Sequence, residues 1–274
     1  MLASQIPLMR DDTLPKTLIA FTARFCDETA CANLLRRWKY GGRGFVCRHC
    51  GGKRAWYLPS RRLDECRTCH RQMSLTAGTV MHGSRKPLRT WFLAIYLFVQ
   101  SKQGISALEL KRELSLGSYQ TAWAWLHKLR AAMVRSNSEP LGPFVQIDEA
   151  LVGGKGGPHK ELVLVAAETG GRVRLAHVEN NDTGTLKRFA DGQIAADTRV
   201  VTDGHAGYNK TSLDKRSHER KVQTKAERRE NDAVQSCHWT ISLLKRWLLG
   251  THAGAVGAKH LQACLLYTSD AADE

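Results

Sequence analysis

The chain has 274 residues, enough for one large domain with a small module or for two domains of medium size. Hydrophobic residues make up 42%, which excludes a disordered chain, and the longest apolar run, residues 91–99, is too short to span a bilayer. The formal net charge of +15 favours a polyanionic partner, with nucleic acid as the first candidate and an anionic membrane surface as the second.

The N-terminus lacks the basic start and long apolar core of a signal peptide, so we expect a cytoplasmic protein with reduced thiols. Its eight cysteines then need an explanation other than disulfides. Four of them have no metal-type spacing and are interpreted as ordinary thiols: Cys26, Cys31, Cys237 and Cys264.

The other four cysteines form two CxxC pairs with fifteen residues between them. Cys47 and Cys50 make the first pair, and Cys66 and Cys69 the second, a spacing typical of a tetrahedral Zn²⁺ site. Two chance pairs or a redox dithiol are the alternatives. We therefore predict a structural zinc ribbon over residues 26–75, in which the metal replaces a core that so small a piece cannot build.

The ribbon segment is basic, and aromatic residues are interleaved with its Lys and Arg side chains. This pattern is typical of a surface that holds nucleic-acid phosphates, whereas the alternative is a solvated basic surface without a partner. The candidate DNA-binding residues here are Arg43, Lys53, Arg54, Arg61 and Arg62.

Residues 87–135 have a helical pattern that ends in helix, short glycine turn and amphipathic helix. Ser106 and Glu109 predict a helix start, and Gly117 lies in the turn. We expect the second helix to carry one set of residues along one side: Tyr119, Trp123, Leu126, Leu129 or Arg130, and Met133. The arrangement predicts a helix-turn-helix, although any helical hairpin looks similar. The candidate DNA-facing residues are Gln120, Thr121, Lys128 and Arg130.

Residues 136–143 contain two prolines and a glycine and are interpreted as a linker to a second domain, residues 144–263. Three β-like runs follow, then a helix over 183–194 and a further strand before Asp203. This order predicts an α/β domain with a mixed sheet, antiparallel at first and extended by a parallel strand.

Two aspartates stand where a carboxylate is costly unless it is paired or bound to a metal ion. Asp148 lies inside an apolar strand, and Asp203 follows the strand that precedes Gly204. On neighbouring strands they are candidates to bind Mg²⁺ and promote attack on a phosphodiester. The alternative gives Asp203 a turn role and Asp148 a salt bridge. Glu149 is expected on the opposite face of the strand, which makes it secondary.

Six segments together resemble an ISXO-like bacterial insertion-sequence transposase, with similarity from about Cys26 to Gln262. They are GFVCRHCGG, RQMSLTAGTVMHGSRKPLRTWF, QSKQGISALELKRELSLGSYQTAW, VQIDEALVGGK, VVTDGHAGY and LLKRWLLGTHAGAVGAKHLQ. The resemblance implies a zinc ribbon, a DDE-type catalytic domain of ribonuclease H-like fold, and divalent-metal cutting and joining of DNA at element ends. It also implies a dimer or larger synaptic assembly on terminal inverted repeats and target DNA.

The resemblance assigns four catalytic positions. Asp148 and Asp203 match the two aspartates of the family, His238 stands where many relatives carry glutamate, and Lys245 matches the lysine that follows. Lys245 is expected to contact a phosphate, although a solvated helix lysine is the alternative. Lys155, just after the first catalytic strand, completes the candidate DNA-binding set.

The role of His238 has three candidates: metal ligand, residue that positions a water, and proton shuttle. Imidazole suits Mn²⁺ better than Mg²⁺, so our hypothesis is that His238 shifts the metal preference toward Mn²⁺. Glu227 and Glu230 are rival third acids, but they lie in a charge-rich, solvated stretch.

Residues 264–274 depart from the family pattern and resemble a translated sequencing adapter, so we interpret them as a non-native tail on a truncated copy. The sequence therefore predicts a DNA transposase that acts in the bacterial cytoplasm at the nucleoid, with no role at a membrane. The alternatives are a non-catalytic DNA-binding remnant and a metal-dependent nuclease without strand transfer.

Overall fold

The structure is a computed structural model that describes residues 15–41, 44–133, 139–153, 160–169, 171–254, 256–262 and 264–265. Its backbone divides into two compact units, Met1–Gln100 with Glu113–Ser115, and Ser101–Arg112 with Leu116–Glu274. Among the described helices, none combines the length and apolar character that a membrane crossing requires.

The described part of the first unit contains three α-helices, a short 3₁₀-helix (Pro59–Arg61) and a small sheet. The helices are α1 (Leu18–Arg24), α2 (Glu28–Tyr40) and α3 (Leu88–Gln100), and the strands are β1 (Ala55–Leu58), β2 (Leu63–Cys66) and β3 (Gln72–Ser74). The strands pair in the order β1-β2-β3, antiparallel throughout.

Side chains at the ends of these helices satisfy free backbone N–H groups. The Asp27 carboxylate caps α2 by accepting a bond from Ala30 N at 2.8 Å. Glu28 then reaches across to the start of α3, where its two oxygens accept bonds from Leu88 N and Arg89 N, each at 2.8 Å. A carboxylate at a helix N-terminus satisfies orphan donors and complements the helix dipole, which fixes α3 against α2.

The second unit begins with α4 (Ala107–Glu113), whose last residue clusters with the first unit, and α5 (Tyr119–Met133). Ser106 Oγ accepts a bond from Glu109 N at 3.1 Å, so the helix starts where the sequence predicts. The buried side of α5 is formed by Ala122, Trp125, Leu126, Leu129 and Arg130, which overlaps the predicted side only in part.

Of the residues predicted to share one side of α5, Leu126, Leu129 and Arg130 are buried, whereas the exposed fractions of Tyr119 and Trp123 are 43% and 37%. The reason is that Trp125 and Leu129, four residues apart on the other flank of Leu126, offer a continuous apolar stripe of their own.

A five-stranded mixed sheet forms the centre of the second unit. Its strands are β4 (Phe144–Val152), β5 (Glu161–Glu168), β6 (Val173–Val178), β7 (Arg199–Thr202) and β8 (Ser217–Arg220), in the order β6-β5-β4-β7-β8. The first three pair antiparallel, and β7 and β8 are parallel to β4. The predicted mixed sheet is thus confirmed. Strand β8 was not predicted, because its residues, SHER, have no apolar alternation.

Helices cover both faces of this sheet. Helix α8 (Gln235–His252) packs Cys237, Ile241, Leu244 and Leu248 against one face, and α6 (Thr183–Gln193) packs Leu186, Phe189 and Ala190 against the other. A short helix, α7 (Lys225–Glu230), precedes α8. Because β4 is buried on both faces, any charged residue in it must be satisfied by neighbouring polar groups.

Candidate metal centres and catalytic site

The four predicted zinc ligands converge at one end of the small sheet. The sulfurs of Cys47, Cys50, Cys66 and Cys69 all lie within 4.8 Å of one another. Two of the separations are 3.6 Å, from Cys47 to Cys69 and from Cys50 to Cys66. Tetrahedral Zn–S bonds of about 2.3 Å place sulfurs about 3.8 Å apart, so the cluster fits a zinc ion.

The two cysteine loops have matching backbone geometry. In each loop, the residue after the second cysteine has positive φ, at Gly51 (φ 71°) and His70 (φ 56°). Its N–H donates to the carbonyl of the first cysteine of the pair, at 2.9 Å in both cases. A Cβ on Gly52 would lie 3.1 Å from Cys66 Sγ and 2.8 Å from Thr68 Oγ1, so this position has no room for a side chain. The loops are therefore built around the sulfurs.

The electrostatics differ among the four thiols: backbone N–H groups lower the pKa of Cys47 and Cys66, whereas the neighbouring thiols and burial outweigh the Gly52 N–H and raise the pKa of Cys50 to about 12. The backbone N–H of Cys69 directed at Cys66, followed by that of Thr68, lowers the pKa of the Cys66 thiol to about 6. Thr68 N lies 3.4 Å from Cys66 Sγ. Thiolates, rather than thiols, bind zinc, so donors that stabilise the anion favour the metal-bound form.

The basic residues predicted around the ribbon differ in their surroundings. Lys53, Arg54 and Arg61 are exposed. Arg62 is half-buried, and its guanidinium donates to the carbonyl of Lys86 at 2.7 Å, a structural contact. Arg43 lies outside the described residues.

The four candidates on α5 also separate. Gln120 and Lys128 are exposed, and Thr121 is half-buried against Ser118, whose hydroxyl is 2.9 Å away. Arg130 is only 2% exposed, and its guanidinium lies 5.4 Å from the ring centroid of Trp247. The prediction that Arg130 faces DNA is therefore wrong for this structure, because the residue packs in the interior through a cation–π contact.

A second, acidic cluster lies inside the large sheet, where the end of β7 meets the middle of the central strand β4. Asp148 is on the central strand β4 and 7% exposed, and Asp203 follows the end of the adjacent parallel strand β7. Carboxylate oxygens of Asp148, Glu149 and Asp203 lie within 4.8 Å of one another. All donors are hard oxygen ligands, the type that Mg²⁺ prefers. The structure thus brings the two predicted aspartates together and adds Glu149 to them.

Glu149 is held by neighbours on the α6 face of the sheet. Its Oε2 accepts a bond from the Tyr208 hydroxyl at 2.8 Å, and its Oε1 accepts one from the Asn181 side-chain amide at 3.2 Å. Asp148 and Glu149 point to opposite faces of β4, as expected from strand alternation. A carboxylate oxygen of each nevertheless lies within 4.8 Å of one from Asp203. The carboxyl group of Glu149 raises the pKa of Tyr208 further, after burial has already raised it.

His238 reaches the acidic cluster from α8 on the opposite face. Its Nε2 lies 3.2 Å from Asp148 Oδ2, and its Nδ1 makes a close hydrogen bond with Asp232 Oδ2. His238 is not a member of the group formed by the three carboxylates. The helix turn that carries it is anchored by Ser236 N, which donates to Gln146 Oε1 on β4 at 2.8 Å.

Lys245 is exposed two turns further along α8. It lines a groove with Leu151, Val152 and Gly153, at the end of β4 beyond the acidic residues. Within the described part of the chain, no ion pair joins Lys245 to the carboxylates. Lys155 lies outside the described residues.

Burial dominates the electrostatics of Asp148. It raises the pKa of this carboxyl from 3.8 to about 6, while a backbone N–H and the His238 ring lower it, and Asp203 and Glu149 raise it. A buried carboxylate surrounded by other carboxylates is a favourable position for a cation, because a positive charge there relieves the repulsion between them.

Sequence reasoning missed three neighbours of the site: Asn181, Tyr208 and Asp232. Asn181 precedes α6, and Asp232 lies in the turn before α8, so neither shares a helical or strand period with the residue it contacts. Tyr208 is five residues after Asp203 in the segment TDGHAGY, and that short separation was the one available signal.

Comparison with known proteins points to one class of protein, the transposases. Residues 140–267 match the family described as the ISXO2-like transposase domain. The resemblance predicted from the sequence is thereby confirmed. The match includes Asp148, Asp203, His238 and Lys245.

Two further comparisons extend beyond that domain. The chain is 27% identical over 254 residues to an uncharacterized protein in transposable element ISH50 of Halobacterium salinarum, covering 82% of this chain and 84% of the relative. It is also similar to a chain in a cryo-electron-microscopy structure of a simian T-cell lymphotropic virus intasome in complex with PP2A regulatory subunit B56 gamma. That match has 12% identity, covers 64% of this chain and 67% of the other, and has a TM-score of 0.34.

Proposed function

We propose that the protein is a DDE-type DNA transposase that binds insertion-sequence ends and catalyses metal-dependent cleavage and strand transfer. The observation that carries this proposal is the convergence of Asp148, Glu149 and Asp203 within the transposase domain. The strand order, with three antiparallel strands and then two parallel ones around Asp148, supports a ribonuclease H-like catalytic fold.

In this proposal, Asp148 and Asp203 hold Mg²⁺ or Mn²⁺, with Glu149 and His238 as the neighbouring donors. A divalent cation bound there supplies charge neutralisation at the scissile phosphate and a lower pKa for the attacking hydroxyl or water. Asp148 contacts His238 and lies near Asp203, so a cation bound at Asp148 is within reach of both of these side chains. Lys245 contacts a DNA phosphate as a point charge.

The first unit contributes a structural zinc ribbon that positions basic side chains for DNA. Zn²⁺ at the four cysteines holds the ribbon, and Lys53, Arg54 and Arg61 contact phosphates. We further propose that α4 and α5 act as a helix-turn-helix, with Gln120 and Lys128 toward DNA. Arg43, Thr121 and Lys155 remain in the proposed DNA-binding set on sequence grounds.

The partners follow from the same proposal: terminal inverted repeats, target DNA and a second copy of the chain in a synaptic assembly. The place of action is the nucleoid in the cytoplasm. The division of the chain at residues 136–143 and the non-native tail at 264–274 also stay predictions. Cys264 and Leu265 are buried, and Leu265 packs with Leu261 in the core on the α8 side of the sheet.

The test is incubation of the purified protein with candidate inverted-repeat DNA in Mg²⁺ or Mn²⁺, followed by separation of cleaved and joined strands. Wild type is expected to cleave at the element end, whereas Asp148→Asn and Asp203→Asn bind the same DNA without cleaving it. The second candidate function is a DNA-binding remnant. Binding without cleavage by wild type in either metal would favour that candidate, and cleavage without joining would favour a nuclease.

A further inference from the structure

Asp232 lies in the turn that leads into α8, and its carboxylate is held in place from two sides. Its Oδ1 accepts a bond from Val234 N at 3.1 Å, while its Oδ2 makes the close contact with His238 Nδ1. The turn itself is braced by Gln223, which donates to Asn231 O at 2.6 Å and accepts from Ala233 N at 2.8 Å. Asp232 is thus a fixed group.

The His238 ring stands between this fixed carboxylate and the acidic cluster. Its second nitrogen, Nε2, lies 3.2 Å from Asp148 Oδ2. Adjacent ligands of an octahedral ion with bonds of about 2.1 Å stand about 3.0 Å apart, so this separation suits two ligands of one cation. Which ring nitrogen carries hydrogen then decides whether Nε2 can bind a metal ion, because a ligating nitrogen must have its lone pair free.

We propose that Asp232 is a positioning residue, which holds His238 with Nδ1–H toward itself and the Nε2 lone pair toward the cation at Asp148. A carboxylate that accepts the second ring N–H fixes both the tautomer and the rotation of a metal-binding histidine. The proposal rests on the proposed function, because it requires the cation at the acidic cluster. It gives Asp232, which is not part of the three-carboxylate group, a role in the site.

The variant Asp232→Asn tests this role while keeping the turn intact. The Asn oxygen still accepts from Val234 N, so its NH₂ group faces His238 Nδ1 and donates to it. The hydrogen of the ring must then move to Nε2, which blocks metal binding there. We expect Mn²⁺ affinity to fall by roughly 10- to 100-fold, the usual effect of losing such a partner. Asp214→Asn, at an acid paired with Lys187 at 2.6 Å, is the matched control.

Two measurements separate positioning from a structural effect. The ¹⁵N chemical shifts of the His238 ring, taken on zinc-loaded protein without other divalent ions or DNA, report the tautomer and should show Nδ1–H in wild type and Nε2–H in Asp232→Asn. Mn²⁺ titration should show the loss of affinity in the wild-type background and none in a His238→Gln background. An unchanged tautomer, an unchanged affinity, or an equal loss in both backgrounds overturns the proposal.

These readouts are independent of DNA chemistry, so a failure of the proposed function is distinguishable. If wild type never cleaves DNA but the tautomer reverses and Mn²⁺ binding weakens only when His238 is present, the positioning role stands and the transposase activity falls.

Discussion

The cysteine cluster of the first unit and the acidic cluster of the second unit offer opposite kinds of ligand to a cation. The cysteine cluster brings four soft sulfurs together, enough to fill a tetrahedral zinc shell, with backbone N–H groups directed at Cys66. The acidic cluster gathers three hard carboxylates where β4 and β7 meet, and His238 contacts Asp148 from α8. The difference teaches that ligand type and closure separate a site that stabilises a fold from one suited to catalysis.

The largest expected effect comes from removing one ligand of the cysteine cluster. Cys66→Ser should abolish zinc binding and unfold the ribbon, because structural zinc contributes on the order of 10 kcal/mol to folding of such modules. Zinc content and amide hydrogen exchange of β1–β3 measure the loss. Cys26→Ser, at an exposed cysteine outside the cluster, is the control and should change neither quantity. Full zinc content with native exchange in Cys66→Ser would contradict the structural role.

Removing one carboxylate from the acidic cluster should leave the fold intact and stop DNA cleavage. Asp203→Asn is expected to reduce DNA cleavage by about 10³-fold or more, since loss of a metal ligand removes several kcal/mol of transition-state stabilisation. Its affinity for inverted-repeat DNA should stay within about twofold of wild type. Single-turnover cleavage and a binding titration give the two numbers, with Asp214→Asn as control. Cleavage within tenfold of wild type would refute the assignment of Asp203.

When no divalent ion is bound, the charged acidic cluster should make the second unit less stable than it is in the variant Asp148→Asn, which has a neutral side chain at this position. The pKa of Asp148 is raised to about 6, so the folded protein holds a proton that the unfolded chain releases near 3.8. Stability therefore falls as pH rises through this window, the reverse of the usual aspartate case. In Mg²⁺-free buffer at pH 7.5, Asp148→Asn should stabilise the second unit by about 1 to 3 kcal/mol. Calorimetry from pH 4 to 7.5 checks this, and a destabilised variant at pH 7.5 would contradict it.

The identity of the residue at 238 should set the metal preference more gently. His238→Glu replaces a nitrogen donor with an oxygen donor, so cleavage in Mg²⁺ relative to Mn²⁺ should rise by about tenfold. Strand-transfer assays in each metal at matched concentrations measure the ratio. Identical metal profiles for wild type and variant would remove His238 from the set of metal ligands.

The smallest expected effects come from substituting two neighbouring arginines, Arg61 and Arg62. Arg61→Ala should lower the salt dependence of DNA binding by about one phosphate contact and leave stability unchanged. Arg62→Ala should instead cost about 1 kcal/mol of stability, because its guanidinium bonds to Lys86 O. Binding slopes against salt and thermal unfolding distinguish the two. A reversed pattern would show that the basic surface is arranged differently.

Much of both clusters was predictable, for different reasons. The CxxC spacing predicts the cysteine cluster by itself, since each pair lies in one tight turn. The acidic cluster needed the strand order, because Asp148 and Asp203 meet only when β4 and β7 pair in parallel. Asp232 and the Glu149 partners escaped prediction because their contacts join turns that have no sequence periodicity. The exposure of Arg130 and part of the buried side of α5 were misjudged because apolar residues lie on two sides of that helix. In the structure, Arg130 packs against Trp247.

The central claim is that the two clusters take different metals for different tasks, and selective metal removal tests it most directly. Brief chelation followed by removal of the chelator should leave about one zinc per chain and a native ribbon while abolishing DNA cleavage. Mg²⁺ or Mn²⁺ alone should then restore cleavage. Cleavage that survives the chelation, or that returns with Zn²⁺ but not with Mg²⁺ or Mn²⁺, would contradict the account.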